Sequence, residues 1–294
     1  MTPVLFSVSY AGLWGQDTLD VESFIERAAK LFYPAVELMG KRPHLSVLDA
    51  SPERIRRIRE RATATNVEIV TIAAYTDFTA GPAPEVPFGE MQVLYVRELA
   101  RIARLLDAHV IRVFTGYSTD DHSYVTDWKK CVAGIREAAT VAADQGIVLG
   151  VQNHHDTAIS TDAYVEFLDE VNHPNCKAMY DPWVPALLGE DLYACAKRLA
   201  PRMVQTTLAD YVRIPRWAYE PGLVNYRRLP DMVRAVPLGE GFIDLNAFFR
   251  GLKEGGFDGY VAYEMCSPLR GGGGYENLDH AAGTSLRRIT ALIG

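Results

Sequence analysis

The sequence predicts an α/β protein built as a single (β/α)8 TIM barrel. Three observations predict it. Short apolar runs alternate with longer amphipathic segments along nearly the whole chain. These make eight β-then-α units in succession. The strand-like runs are apolar on both faces, as expected for a sheet with helices on one side and a packed interior on the other. Alternation of β and α points to a parallel sheet. Eight units favour closure into a barrel over the alternative, an open doubly wound sheet.

The elements follow in order along the chain. Residues 4–8 form a first strand, and 21–31 a helix behind Asp and Thr positions able to cap it. Strand 35–39 leads to a charged helix at 52–65 that carries Arg54, Arg56, Arg57, Arg59 and Arg61. Strand 68–74 precedes a long helix at 90–106, and strand 110–114 a helix at 128–145. Strand 148–152 is followed by a helix at 162–171, and a short strand at 178–180 by a helix at 191–199. Strand 203–208, helix 246–255, strand 259–264 and helix 278–293 complete the series. No linker divides the chain, so one domain is expected over residues 1–294.

The irregular stretches are 75–89, 117–127, 211–241 and 266–277. Each follows a strand, on the side where barrel enzymes carry their catalytic loops. The 211–241 stretch is long for a structureless loop and is expected to form a lid or a short extra helix. The run Arg270-Gly271-Gly272-Gly273-Gly274 is expected to be flexible enough to close over a ligand.

The 294 residues are ample for one barrel with loop insertions. The net charge is −7 and the pI about 5.5, which disfavours phosphate-backbone binding, so no nucleic-acid partner is expected. No G-x-G-x-x-G follows the first strand and no phosphate-binding P-loop occurs. Cys131, Cys176, Cys195 and Cys266 show no C-x-x-C spacing and read as reduced thiols. The N-terminus has no signal-peptide pattern, and no apolar stretch approaches membrane-spanning length. A cytoplasmic protein with no membrane partner is the expectation.

Several segments carry a family resemblance. Pro237-Leu238-Gly239-Glu240-Gly241-Phe242-Ile243-Asp244, then Gly255-Gly256-Phe257-Asp258-Gly259-Tyr260, then Tyr263-Glu264, resemble the closing segment of the sugar phosphate isomerase/epimerase superfamily. That superfamily is xylose-isomerase-like and also includes endonuclease IV, inosose dehydratase, hydroxypyruvate isomerase and the ketose 3-epimerases. Ala35-Val36-Glu37-Leu38, Tyr180-Asp181-Pro182 with Gly189-Glu190-Asp191, and Leu208-Ala209-Asp210-Tyr211 resemble its second, sixth and seventh strands. The resemblance covers nearly the whole chain. It implies a divalent metal, Mn or Mg, held at the barrel mouth by residues after strands five to eight. Carried over by position, those are Gln152, Asp181, Thr207 and Glu264. Only the two acids match the family's pattern. The His three residues after the sixth-strand Asp is Val184 here, and the Lys before the seventh-strand Asp is Ala209.

The departures have physical consequences. Gln152 offers only a neutral carbonyl oxygen and takes no proton at neutral pH, and Thr207 is a weak neutral ligand. Asp181 and Glu264 still suit a hard ion, with fewer charges to hold it. Residues two apart on a strand share a face, so His154 should point with Gln152 and Gln205 with Thr207. His154 is therefore a candidate ligand or base, weighed evenly against a satisfied pocket histidine. Asp181 and Glu264 end short apolar strands, where a carboxylate is costly without a partner. The bland alternative for both is a salt bridge to a barrel arginine such as Arg112, and for Glu37 that reading is preferred. Tyr75, Thr76 and Asp77, Thr115 and Tyr117, and Arg213, Arg216, Trp217 and Tyr219 surround the expected mouth. Of these, Tyr75 and Arg213, with Gln205 and Trp183, are candidate substrate contacts, because aromatic faces and planar donors suit a sugar-like ring.

The function these readings imply is a sugar or polyol isomerase or epimerase. It would move a proton next to a carbonyl, with Glu264 as base, His154 as second acid/base and a divalent metal as electrophile. The alternatives are a dehydratase or lyase on an oxidised sugar, or a metal-free sugar-binding barrel without activity. A DNA-repair role by analogy with endonuclease IV fits poorly, since the metal-binding histidines are missing. The expected partner is a small sugar-like molecule, and relatives suggest a homo-oligomer by analogy only.

Overall fold

The computed structural model describes residues 1–81, 85–118, 120 and 123–294. Residues 82–84 of the 75–89 stretch, and 119, 121 and 122 of the 117–127 stretch, lie outside the described residues.

The chain forms a closed parallel barrel. Its strands are β1 (Thr2–Phe6), β2 (Ala35–Met39), β3 (Glu68–Ala73), β4 (Val110–Val113), β5 (Val148–Gln152), β6 (Cys176–Met179) and β7 (Met203–Leu208), with β10 (Tyr260–Tyr263) closing the ring between β7 and β1. The helices are α1 (Val21–Lys30), α2 (Pro52–Thr65), α3 (Phe88–Leu105), α4 (Tyr124–Ala143), α5 (Thr161–Val171), α6 (Trp183–Leu188), α7 (Leu192–Leu199), α8 (Leu245–Glu254) and α9 (Tyr275–Ile293). Short polar residues start many of them. Asp20, Ser51, Ser123, Ser160, Asp191 and Asp244 each accept a backbone N–H of the first turn, which would otherwise lack a partner.

The observed bounds differ from the expected ones by a few residues at most element ends. The first strand stops at Phe6, and Ser7–Tyr10 tightens into a 3-10 turn. Helix α6, directly after Asp181, was not anticipated. The larger correction concerns residues 211–241. They form no helix. Strands β8 (Asp210–Glu220) and β9 (Asn225–Val236) pair antiparallel as a long hairpin. Pro215 and Pro230 sit beside the register shift between Ile214 and Arg216, where the ladder needs no N–H from them.

Two layers of apolar packing line the barrel. One cluster joins Val4, Ala35, Val70 and Ala262, and another joins Phe6, Val8, Met39 and Ala73, against which Trp14 and Tyr75 pack. The outer faces of the strands join the helices in the main core. The four cysteines form no disulfide. No helix among the described residues is long and apolar enough to cross a membrane. In the glycine run at 271–274, Gly271 and Gly272 have positive φ and Gly273 is closely packed. Gly273 lies so near Gln16 that a Cβ there would stand 2.4 Å from its Cα, and its carbonyl accepts the Asp17 N–H at 2.7 Å.

Candidate active site

Polar side chains from several strands make two hydrogen-bonded runs through the barrel, joined by an ion pair. Thr71 on β3 donates to Gln205 on β7 at 2.6 Å. Gln205 donates to Glu37 on β2 at 2.6 Å. The other oxygen of Glu37 faces Arg112 Nε at 3.8 Å. Arg112 on β4 donates through Nη1 to Gln152 at 2.9 Å, and Gln152 donates through Nε2 to Asp181 at 2.9 Å. The chemistry fixes the orientation of Gln152. Guanidinium only donates and a carboxylate only accepts, so its oxygen must face Arg112 and its nitrogen Asp181.

Arg112 is 2 % exposed, yet its charge is only partly answered. Its Nη2 has no hydrogen-bond partner. Three rings cage the guanidinium carbon, Phe114 at 4.1 Å, Tyr75 at 4.9 Å and Phe6 at 5.2 Å from ring centroids. Such faces are attractive to a desolvated cation.

Above these runs a cavity of about 370 Å³ opens at the C-terminal ends of the strands. Arg112 and Glu264 reach its wall, together with Lys41, Tyr75, Phe114, His154, His155, Trp183, Trp14 and Cys266. Lys41 lies over the Tyr75 ring, 3.8 Å from its centroid. Trp183 leans on Tyr211 and His154, at 4.8 and 5.7 Å between centroids.

The structure brings together Glu264, His154, Trp183 and Tyr75 of the candidates named from sequence. Asp181 and Gln152 lie behind the cavity wall. Asp181 receives Gln152 on one oxygen and the Trp183 backbone N–H on the other at 3.0 Å. Gln205 has its amide committed to Thr71 and Glu37. Thr207 is buried with its hydroxyl unpartnered. Arg213 lies outside the cavity, exposed on β8 and stacked on Phe242 at 4.6 Å. Lys41, Arg112, Trp14, Phe114, His155 and Cys266 are among the wall residues that sequence reasoning did not place. The signal for Arg112 was present, since an arginine amid the apolar Val110-Ile111-Arg112-Val113 is costly without purpose.

Burial sets the protonation of the site. It raises Glu264 to about 7, against the pull of Arg112 and with the push of Asp181 and Glu37. It raises Glu37 to about 7 and Asp181 to about 6, each opposed by its hydrogen-bond donors and Arg112. It lowers His154 to about 3 and His155 to about 4. His154 Nδ1 accepts the His155 backbone N–H at 2.8 Å, leaving a neutral ring that can donate from Nε2 but takes no proton at neutral pH. The base role expected of His154 is not supported by this environment.

The donor set does not fit a divalent metal. The oxygen of Gln152 is taken by a guanidinium, and both oxygens of Asp181 already accept hydrogen bonds. No group of three or more His, Cys, Asp or Glu that could hold an ion occurs among the described residues. The positive charge beside these acids is the side chain of Arg112.

A closed parallel barrel with a charged cavity at its strand ends defines the class of (β/α)8 barrel proteins. Residues 25–291 match the family of xylose isomerase-like TIM barrels, and the chain belongs to that family. No curated protein matches by sequence. Among solved structures, D-psicose 3-epimerase from Clostridium cellulolyticum H10, crystallised with D-tagatose, is 16% identical with a TM-score of 0.78, over 100% of this chain and 99% of that one. The probable 3-DHS dehydratase AsbF from Bacillus anthracis is 18% identical with a TM-score of 0.74, over 99% of each chain. A xylose isomerase domain protein from Alicyclobacillus acidocaldarius is 20% identical with a TM-score of 0.72, over 100% and 98%. At these identities the likeness is one of fold.

Proposed function

We propose that this protein is an enzyme that moves a proton next to the carbonyl of a small sugar-like compound, leading to isomerisation or to loss of water. The observation that carries the reading is that Glu264 and Arg112 share one cavity wall. Glu264, as carboxylate, removes a proton from the carbon beside the carbonyl. The electron pair of that C–H bond passes into the carbon–carbon bond, and the carbonyl oxygen becomes an enolate oxyanion. Arg112, which lines the cavity and has an unpartnered Nη2, is the donor for that charge. For isomerisation the neighbouring hydroxyl passes its proton to that oxyanion and the proton on Glu264 goes to the former carbonyl carbon; for dehydration the oxyanion's electron pair re-forms the carbonyl as the β-hydroxyl leaves with the Glu264 proton as water. A carboxyl held at about 7 is suited to both halves of this cycle. The structural likeness to proteins named as an epimerase and as a dehydratase is compatible with either outcome.

The family's divalent metal has no step in this scheme, since the residues present do not fit it. The test is proton–deuterium exchange followed by NMR in D2O, on a panel of small ketoses and keto acids. Protein stripped with chelator is expected to exchange the carbon-bound proton of at least one compound. Glu264→Gln is expected to slow that exchange by about 10²–10⁴-fold. Exchange with none of the panel, or equal exchange in the variant, overturns the reading.

A further inference from the structure

We infer that the cavity is built for a carbonyl compound bearing a carboxylate group, with Lys41 and Arg112 as its anion subsite. The inference deepens the reading above and rests on it for the claim that the bound compound is turned over.

Three polar groups of the cavity donate and cannot accept. Arg112 Nη2 is buried without a partner. Trp183 Nε1 is likewise buried and unpartnered. Lys41, half-buried at the wall, pairs with no carboxylate among the described residues, and its ammonium lies over the face of Tyr75. On the accepting side, Glu264 is the carboxylate beside Arg112, Asp77 turns one oxygen to Thr79 and Tyr117, and the unpartnered Tyr75 hydroxyl can donate or accept.

That imbalance discriminates between ligand classes. Each hydroxyl of a polyol both donates and accepts but carries no charge, so a neutral ketose would leave Lys41 without a counter-charge. A buried donor left unmatched is costly. Carboxylate and enolate oxygens only accept, and they match the free donors of Arg112, Lys41 and Trp183. The remaining surface is largely aromatic, from Trp14, Tyr75, Phe114 and Trp183, and packs against the apolar part of such a compound. Two cations in a partly dehydrated pocket attract an anion more strongly than they would in water.

Isothermal titration with four probes tests the inference: benzoate, its neutral isostere benzamide, D-fructose and inorganic phosphate. Benzoate is expected to bind at least about tenfold more tightly than benzamide, the effect of one hydrogen bond to a charged group. Lys41→Ala and Arg112→Lys are each expected to weaken benzoate about tenfold or more and to leave benzamide little changed. Lys41 sits at the rim, so its variant tests the subsite even if the Arg112 variant fails to fold. Glu264→Gln is expected to keep benzoate binding while losing proton exchange. Retained exchange in that variant would sink the catalytic reading and leave the anion subsite standing. Benzamide or fructose binding as well as benzoate, phosphate binding in its place, no binding by any probe, or benzoate binding unaltered in Lys41→Ala overturns the inference.

Discussion

Arg112 changes what its neighbours can be. Gln152 stands where the family resemblance places an acidic ligand, and its amide joins a cation to Asp181 by one bond on each side. Glu at that position would put two carboxylates at hydrogen-bond distance, and only one of them could ionise. Gln152→Glu is therefore expected to lower stability by about 2–4 kcal/mol, the range for breaking a buried paired network. The loss should grow as the pH rises past 6, where Asp181 ionises. Urea denaturation at pH 5.5 and 8 measures it, and an equal or smaller loss at the higher pH would refute the account. Asp181 and Glu264 were legible from sequence because acids at the ends of apolar strands stand out. Their unequal placement was not, because strand position does not say which carboxylate finds donors behind the wall. Lys41 was missed for a related reason. It lies two residues past β2, where a lysine is ordinarily solvated.

At the scale of elements, the least legible part was the hairpin. Charged and aromatic residues alternate along β8 and β9, and Pro215 and Pro230 interrupt both runs, so the period of two was masked. Cross-strand pairing explains the composition: Tyr219 faces Tyr226, and Trp217 is opposite Arg228, whose guanidinium lies over the indole. The Gly239-Glu240-Gly241 motif has an equally local cause. Asp210, at the start of the hairpin, accepts the backbone N–H groups of Gly239 and Gly241 at 2.9 Å each, Tyr211 at 2.9 Å and Ile243 at 3.3 Å. A Cβ on Gly241 would stand 2.0 Å from that carboxylate. One side chain thus ties the hairpin to the turn that leads into α8. Asp210→Ala strands four donors and is expected to cost about 2–4 kcal/mol, with Asp210→Asn milder because it keeps one accepting oxygen. Denaturation with limited proteolysis of the 210–236 segment reads both effects. Equal stability of Asp210→Ala and the parent would show that the carboxylate does not hold the turn.

For the whole molecule, two sets of buried groups act on stability with opposite sign. Glu37, Asp181 and Glu264 have carboxyls raised from ordinary values of 4.5, 3.8 and 4.5 to about 7, 6 and 7. The folded protein then holds more protons than the unfolded chain, so their contribution is full below about 4 and is lost as pH rises through 6 to 7. His44, His154 and His155 are lowered from 6.5 to about 4, 3 and 4. There the unfolded chain holds more protons, and stability rises with pH from about 3 to 6.5. Between about 4.5 and 6.5 the two slopes oppose one another, and the carboxyls act alone above that window. This balance was not legible from sequence, because it depends on which acids and histidines the barrel buries. Glu264→Gln removes one group from the falling side. The Tm of the variant minus that of the parent is expected to become more positive from pH 4.5 to 7.5. Thermal melts in one buffer series at fixed ionic strength measure that difference. A difference that stays constant with pH would mean that Glu264 titrates in the folded protein as it does in the unfolded chain, and the proton-transfer role built on its burial would lose its support.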